Sequence, residues 1–236
     1  MNFLRRQPTF NDTFMYGFDS FEGIPEEADG YGTQKNFRQG TYNSGDIRDN
    51  LTKDLGGPKH AAFVKGFFNV SLTHELVQKL GMRPAAYIDI DSDLTISAKQ
   101  ALSWIFENGL AVPGTLIGYD DWWVNACSRG GEMESPLESG EGIAHKEIAE
   151  EFGVVFRCVG GGCQTSTRCQ AFAPIFAVEK ILGKNVRGGD HGFYMNSSQI
   201  SSWKANDFLC QKVLVGKFSE KHFFWPANHT ANQTVE

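Results

Sequence analysis

No run of about 18 apolar residues occurs in this chain, which excludes a membrane-spanning helix. The opening Met1-Asn2-Phe3-Leu4-Arg5-Arg6-Gln7-Pro8 has two arginines but no apolar core behind them, so no secretory leader is read. A cytoplasmic location is therefore expected, and Asn196-Ser197-Ser198 and Asn228-His229-Thr230 need no glycosylation reading. A basic excess is also missing. The 22 Lys and Arg against 28 Asp and Glu leave a formal charge of -6, so a nucleic-acid partner is not expected. Cysteines number only five. Cys158, Cys163 and Cys169 crowd around Gly160-Gly161-Gly162, but paired CxxC knuckles are absent and no histidine lies in that segment. That spacing argues against structural zinc and for reduced thiols. Internal repeats and low-complexity tracts are missing as well. A single α/β domain over residues 1–183 follows, with a tail over 184–236 whose weak periodicity places no element.

What the chain does have is carboxylate, gathered at two places. Asp89-Ile90-Asp91-Ser92-Asp93 follows the apolar Ala85-Ala86-Tyr87-Ile88, and Asp120-Asp121 follows Thr115-Leu116-Ile117-Gly118-Tyr119. Between them Ala98, Ala101, Leu102, Ile105 and Phe106 recur at helical spacing, and Pro113-Gly114 marks a turn. Strand, helix, strand at that length is a parallel crossover unit. Neighbouring strands of that kind lie roughly 4.8 Å apart with both acidic ends on one sheet edge. Ligands of open α/β sheets bind at that carboxyl edge. Carboxylates converging there repel one another unless a cation joins them, and oxygen ligands suit a hard divalent ion. Asp91, Asp120 and Asp121 are the candidate ligands. Against this, a strand-end carboxylate is ordinarily a helix cap or a solvated loop charge, the reading that suits Asp93. Asp89 shares the face of Asp91 but lies further inside the strand.

The remaining elements frame that unit. Phe14 to Phe18 reads as a buried strand ended by Asp19, and residues 22 to 43 form a long polar loop. Ser44 is a suitable N-cap for a helix with Ile47, Leu51 and Leu55 on one face, stopped by Gly56-Gly57-Pro58. Ala61 to Lys65 is a second strand. Ser71 is placed to cap a helix with Leu72, Leu76, Val77 and Leu80 inward, ended by Gly81. After the acidic strands, Trp122 to Gly142 is irregular, and a helix near 143 to 151 precedes strands at Val154–Arg157 and Phe172–Val178. The last two are expected as an antiparallel pair at the sheet edge.

Asp19 has a second meaning. An acid at the end of an early parallel strand commonly accepts hydrogen bonds from the two ribose hydroxyls of an adenosine cofactor. Phe67 and Phe68, just after the second strand, suit either adenine stacking or core packing. Tyr16-Gly17-Phe18-Asp19-Ser20-Phe21-Glu22-Gly23-Ile24-Pro25-Glu26 resembles the "YGFDSFEGLPE" strand and loop of the TylF/MycF-type (macrocin) O-methyltransferases. Val64 to Leu72 is similar to their "VKGWFEDTLP", Asp91 to Ser97 to "DGDLYES", and Pro113 to Trp122 to "GGxxxxDDY". These motifs stand in the family's order over residues 14 to 123.

The resemblance implies a Rossmann-like class I methyltransferase sheet with helices on both faces. It implies S-adenosylmethionine as cofactor, Mg²⁺ or another hard divalent ion, and a small-molecule hydroxyl as substrate, with self-association into a homo-oligomer left open. Position by position, Asp91, Asp120 and Asp121 would hold the metal, and Asp91 would also be the catalytic proton acceptor. Asp19 and Ser20 would meet the cofactor ribose, and Gly66, Phe67 and Phe68 would border the adenine. This chain also departs from the family. The family's first strand and glycine-rich cofactor loop should precede residue 10, where Met1 to Asn11 has no glycine. A gap in mid-sheet and weak cofactor binding are therefore expected, unless Lys212 to Lys217 supplies a strand. Val70 replaces an acidic residue, and Thr95-Ile96 replaces Tyr-Glu. His74 and His145 are candidates for a general base, each weighed against an ordinary surface histidine. Two other functions stay open: a metal-dependent nucleotide-sugar glycosyltransferase using Asp-x-Asp, and a truncated non-catalytic remnant.

Overall fold

Residues 13–26, 39–122, 137, 140–161 and 174–183 are described by the computed structural model. The fold is α/β. Strand β1 (Met15–Asp19) pairs in parallel with β2 (Ala61–Lys65), Asp19 lying opposite Lys65. Strand β3 (Tyr87–Ile90) pairs in parallel with β4 (Leu116–Tyr119), Ile90 opposite Tyr119. Strands β5 (Val154–Gly160) and β6 (Ile175–Ile181) are antiparallel, and β6 also runs antiparallel beside β4, giving the order β3-β4-β6-β5. The expected edge pair is present, its second strand displaced towards the C-terminus.

Five helices connect these strands among the described residues: α1 (Arg48–Asp54), α2 (Phe68–Ser71), α3 (His74–Leu80), α4 (Thr95–Glu107) and α5 (Gly140–Phe152). Helix α4 is the crossover between β3 and β4. Its Ala98, Leu102 and Phe106 are wholly buried, with Ile117 of β4 and Ile148 of α5 in the same cluster. Phe106 also stacks on Phe152 at 5.8 Å between ring centroids. Burial of side chains this size contributes roughly 1.5–3 kcal/mol each and fixes α4 and α5 on the sheet face that presents Ile90, Ile117 and Tyr119. On the opposite face Tyr87 and Asp89 are exposed. No helix among the described residues is long and apolar enough to cross a membrane.

Two caps differ from the sequence reading. Helix α3 is capped by Thr73, whose hydroxyl accepts from Leu76 N at 3.2 Å, and Gly81 closes it in the left-handed region at φ 59°. Ser71 instead ends the short α2, donating to the carbonyls of Gly66 and Phe67. Helix α1 has Ile47 at its N-cap and no side-chain cap, while Ser44 donates to Gly45 O at 3.2 Å. At α3 the loop offered two hydroxyls and backbone geometry chose Thr73, whereas at α1 it chose none. The thiol expectation is also corrected: Cys158 on β5 is disulfide-bonded.

Among the described residues the sheet comes in two pieces. Strand β1 pairs only with β2 and β3 only with β4, so among the described residues each keeps one hydrogen-bonding edge open. Helices join the pieces instead. Phe18 of β1 meets Trp104 of α4 edge-on at 5.3 Å, and the Tyr16 hydroxyl donates to Leu80 O of α3 at 3.1 Å. Lys212 to Lys217, the substitute strand read from sequence, and the whole tail over 184–236 lie outside the described residues.

The cap assignment is directly testable. Thr73→Ala should destabilise the protein by about 1 kcal/mol in urea denaturation, through loss of the cap of α3. Ser44→Ala should leave the midpoint unchanged, because its hydroxyl serves only an exposed loop.

Candidate functional site

Parallel strands finish on the same side of a sheet, so β1, β3 and β4 deliver their following residues to one edge. Asp19, Asp91, Asp120 and Asp121 all line a cleft of about 1010 Å³ there, together with Asp93. Asp120 N donates to Ile90 O at 2.9 Å, extending the β3–β4 ladder one step. That bond brings out Asp91 and Asp120 side by side. Asp93 then takes a left-handed conformation at φ 58°, and this tight turn starts α4.

Crowding and burial disturb these acids. The carboxyl of Asp91 is pushed up to about 6, first by burial and then by Asp120, Asp121, Asp89 and Asp19. Asp93 and Asp121 share a side-chain hydrogen bond, and both are raised, burial being the main cause. Asp89, although on the exposed face, is raised as well by partial desolvation of its carboxyl, and the Tyr87 hydroxyl donating at 2.9 Å partly offsets that. The hydroxyl of Ser92 is buried in the same loop with no hydrogen-bond partner among the described residues. An oxygen-rich, self-repelling donor set with an orphaned hydroxyl suits a hard cation in its chemistry. Among the described residues, however, no three such side chains stand grouped as a ready metal site. The Asp93–Asp121 contact would have to open.

The other end of the cleft holds the remaining candidates. One carboxylate oxygen of Asp19 accepts from Phe21 N, and the residue lines the cleft. Ser20 lines the cleft, but its hydroxyl donates to Gly23 O at 2.9 Å and accepts from Glu22 N at 3.0 Å, so it builds the turn. Gly66 has φ 146° and donates to Asp19 O at 2.9 Å, joining the ends of β1 and β2. A side chain there would run into Ser71 at 2.8 Å. Phe67 and Phe68 both line the cleft, and Phe68 also packs against the main core. Phe67 is thus the better placed of the two for a planar ligand.

Neither histidine faces this cleft. His145 is buried in α5, its Nδ1 lies 3.0 Å from the Tyr119 hydroxyl, and burial pushes it down to about 3. Phe156 and Phe176 flank its ring at 4.2 and 4.4 Å between centroids. The surface reading of His145 is therefore corrected. Its apolar neighbours come from β5 and β6, which the local sequence does not reveal. His74 has both ring nitrogens occupied, by Asn108 at 2.6 Å and Gln78 at 3.1 Å.

Sequence reasoning missed Glu141 altogether. This wholly buried carboxylate in the first turn of α5 accepts backbone N–H bonds from the two acidic loops, at Ser92 and Asp121. A single Glu at a helix start ordinarily reads as a dipole complement, so spacing held no signal for it.

No protein-family model and no curated protein matches this chain. Several solved structures are similar to parts of it, among them the following two. The calicheamicin methyltransferase CalS11 is 16% identical with a TM-score of 0.49, over 70% of this chain and 60% of that one. This chain thus covers less than two thirds of that protein. The "putative O-methyltransferase" of Klebsiella pneumoniae is 19% identical with a TM-score of 0.36, over 75% of this chain and 78% of that one.

The crowding at Asp91 sets a pH dependence. A carboxyl raised from 3.8 to about 6 binds its proton more tightly folded than unfolded. Stability from this group is therefore greatest below the unfolded value and falls as pH rises through about 6. The melting temperature of the metal-free protein should be higher near about pH 5 than near about pH 7.5. Asp91→Asn should flatten that difference and raise the melting temperature at the higher pH.

Proposed function

We propose that this chain is an S-adenosylmethionine-dependent, divalent-metal-dependent O-methyltransferase of the TylF/MycF type, acting on a hydroxyl of a small molecule such as a sugar or natural product. One observation carries the reading: Asp19 after β1 and Asp91, Asp120 and Asp121 after β3 and β4 face a single cleft at the carboxyl edge. The motifs shared with that family fall on those same residues.

In this reading Asp19 accepts the cofactor's ribose hydroxyls, and Phe67 covers the adenine. Gly66 keeps the β1 and β2 ends close enough for both to reach one nucleoside. Asp91, Asp120 and Asp121 supply the oxygen donors for the ion. Such an ion, when bound, lowers the pKa of an acceptor hydroxyl and fixes its orientation. In this reading Asp91 also takes the hydroxyl proton, from its place beside the ion. S-adenosylmethionine, when bound, would supply the methyl group to that oxygen and leave as S-adenosylhomocysteine. Holding the two reactants together in the cleft would be the chain's main contribution to rate.

Calorimetry with S-adenosylhomocysteine, UDP-sugars and Mg²⁺ tests the assignment. Asp19→Ala should weaken S-adenosylhomocysteine binding about tenfold or more, as expected for charge-assisted hydrogen bonds worth about 1.5–3 kcal/mol. Binding of a UDP-sugar in place of S-adenosylhomocysteine would support a glycosyltransferase instead, and binding of neither a non-catalytic remnant. Asp120→Ala should abolish Mg²⁺-dependent methyl transfer while leaving the melting temperature unchanged or higher, because removing a repelling carboxylate costs little stability. Full activity of that variant in chelator would rule out the metal.

A further inference from the structure

Glu141 has no role in the chemistry above, yet it is fully buried and reaches both acidic loops. Its Oε1 accepts from Ser92 N at 3.2 Å and its Oε2 from Asp121 N at 3.0 Å. Those amides belong to different strand exits, one following β3 and the other β4. The same turn is anchored a second time by Thr95, a buried residue of α4 that donates to Gly140 O at 2.8 Å. The first turn of α5 is thus fastened to the start of α4 and to both loops. A two-oxygen acceptor suits this place because each oxygen can take one of two divergent N–H donors. Gln would present an N–H to one of those donors, and a shorter Asp could not span both.

We propose that Glu141 is a positioning residue, a buried clamp that sets the separation of the Asp91 and Asp121 loops and thereby the spacing of their side chains. This inference rests on the metal reading of those carboxylates. The clamp acts through backbone, so it makes no bond to the side chains of Asp91, Asp120 and Asp121 themselves. Buried bonds of this kind are costly to leave half-made, so a single amide change here should loosen one loop rather than shift the fold.

The test compares the full chain with Glu141→Gln, Glu141→Asp and Lys99→Met. Lys99 of α4 pairs with Glu147 of α5 at 2.5 Å, so its loss disturbs the same α4–α5 contact from a second position. Three signals are read: amide hydrogen exchange at Ser92 and Asp121, Mn²⁺ binding by electron paramagnetic resonance, and melting temperature. Glu141→Gln should speed exchange at one of the two amides about tenfold or more, since that bond is lost. Mn²⁺ affinity should fall about tenfold or more in parallel, and Lys99→Met should change neither signal. Should Glu141→Gln fail to fold, Glu141→Asp reads the same two signals with both oxygens kept. Unchanged exchange at both amides would overturn the clamp. Faster exchange with unchanged Mn²⁺ affinity would overturn its positioning role. Absence of Mn²⁺ binding by the unaltered chain would overturn the metal reading and the positioning role with it, whereas amide exchange would still judge the clamp itself.

Discussion

Parallel pairing of β3 with β4 is the constraint on which the rest of the structure depends. Two parallel neighbours need a crossover, and α4 supplies it with Ala98, Leu102 and Phe106 fully buried. Because both strands run the same way, Asp91 and Asp120 cannot avoid emerging together. The apolar core and the acidic cleft are two ends of one arrangement. Trp104 on the same helix meets Phe18 of β1, which brings Asp19 to that edge although β1 and β3 share no hydrogen bond.

The cost of that arrangement is electrostatic. Placing Asp91, Asp93, Asp120 and Asp121 around one cleft raises several of them, and burial adds more than their mutual repulsion does. Proteins keep such costs where a ligand relieves them, and self-repelling acids at a carboxyl edge favour a cation. The Asp93–Asp121 hydrogen bond shows a second way of relieving the strain, a proton held between two carboxyls. A cation and that proton compete for the same oxygens, so metal affinity should weaken as pH falls.

Much of this was legible in sequence because it lay in local pattern. Alternating short apolar runs and helical spacing located β1 to β4 and α4, and the acids at the strand ends followed from where those runs stop. The antiparallel β5–β6 pair was readable too. What escaped depends on contacts distant in sequence. Glu141 meets Ser92 and Asp121 only because α5 folds back across the crossover unit, and His145 is buried only because β5 and β6 wrap it. Ser44 and Ser71 were read as caps because each is a hydroxyl just ahead of a helical pattern, yet α1 starts with no side-chain cap. The choice of Thr73 for α3 came from the path of the chain after α2. The roles assigned to Ser20 and Phe68 are blurred by a similar competition, between the loop's own hydrogen bonds and core packing on one side and a cofactor on the other.

The central claim is that one cleft holds a hard cation at Asp91, Asp120 and Asp121 and an adenosine at Asp19 and Phe67. An anomalous-difference map from crystals of the chain grown with Mn²⁺ and S-adenosylhomocysteine tests it most directly. The account predicts one manganese peak among the three carboxylates, with the ribose hydroxyls on Asp19 and the adenine against Phe67. A manganese peak away from those carboxylates, or a nucleoside bound with Asp19 unengaged, would contradict it.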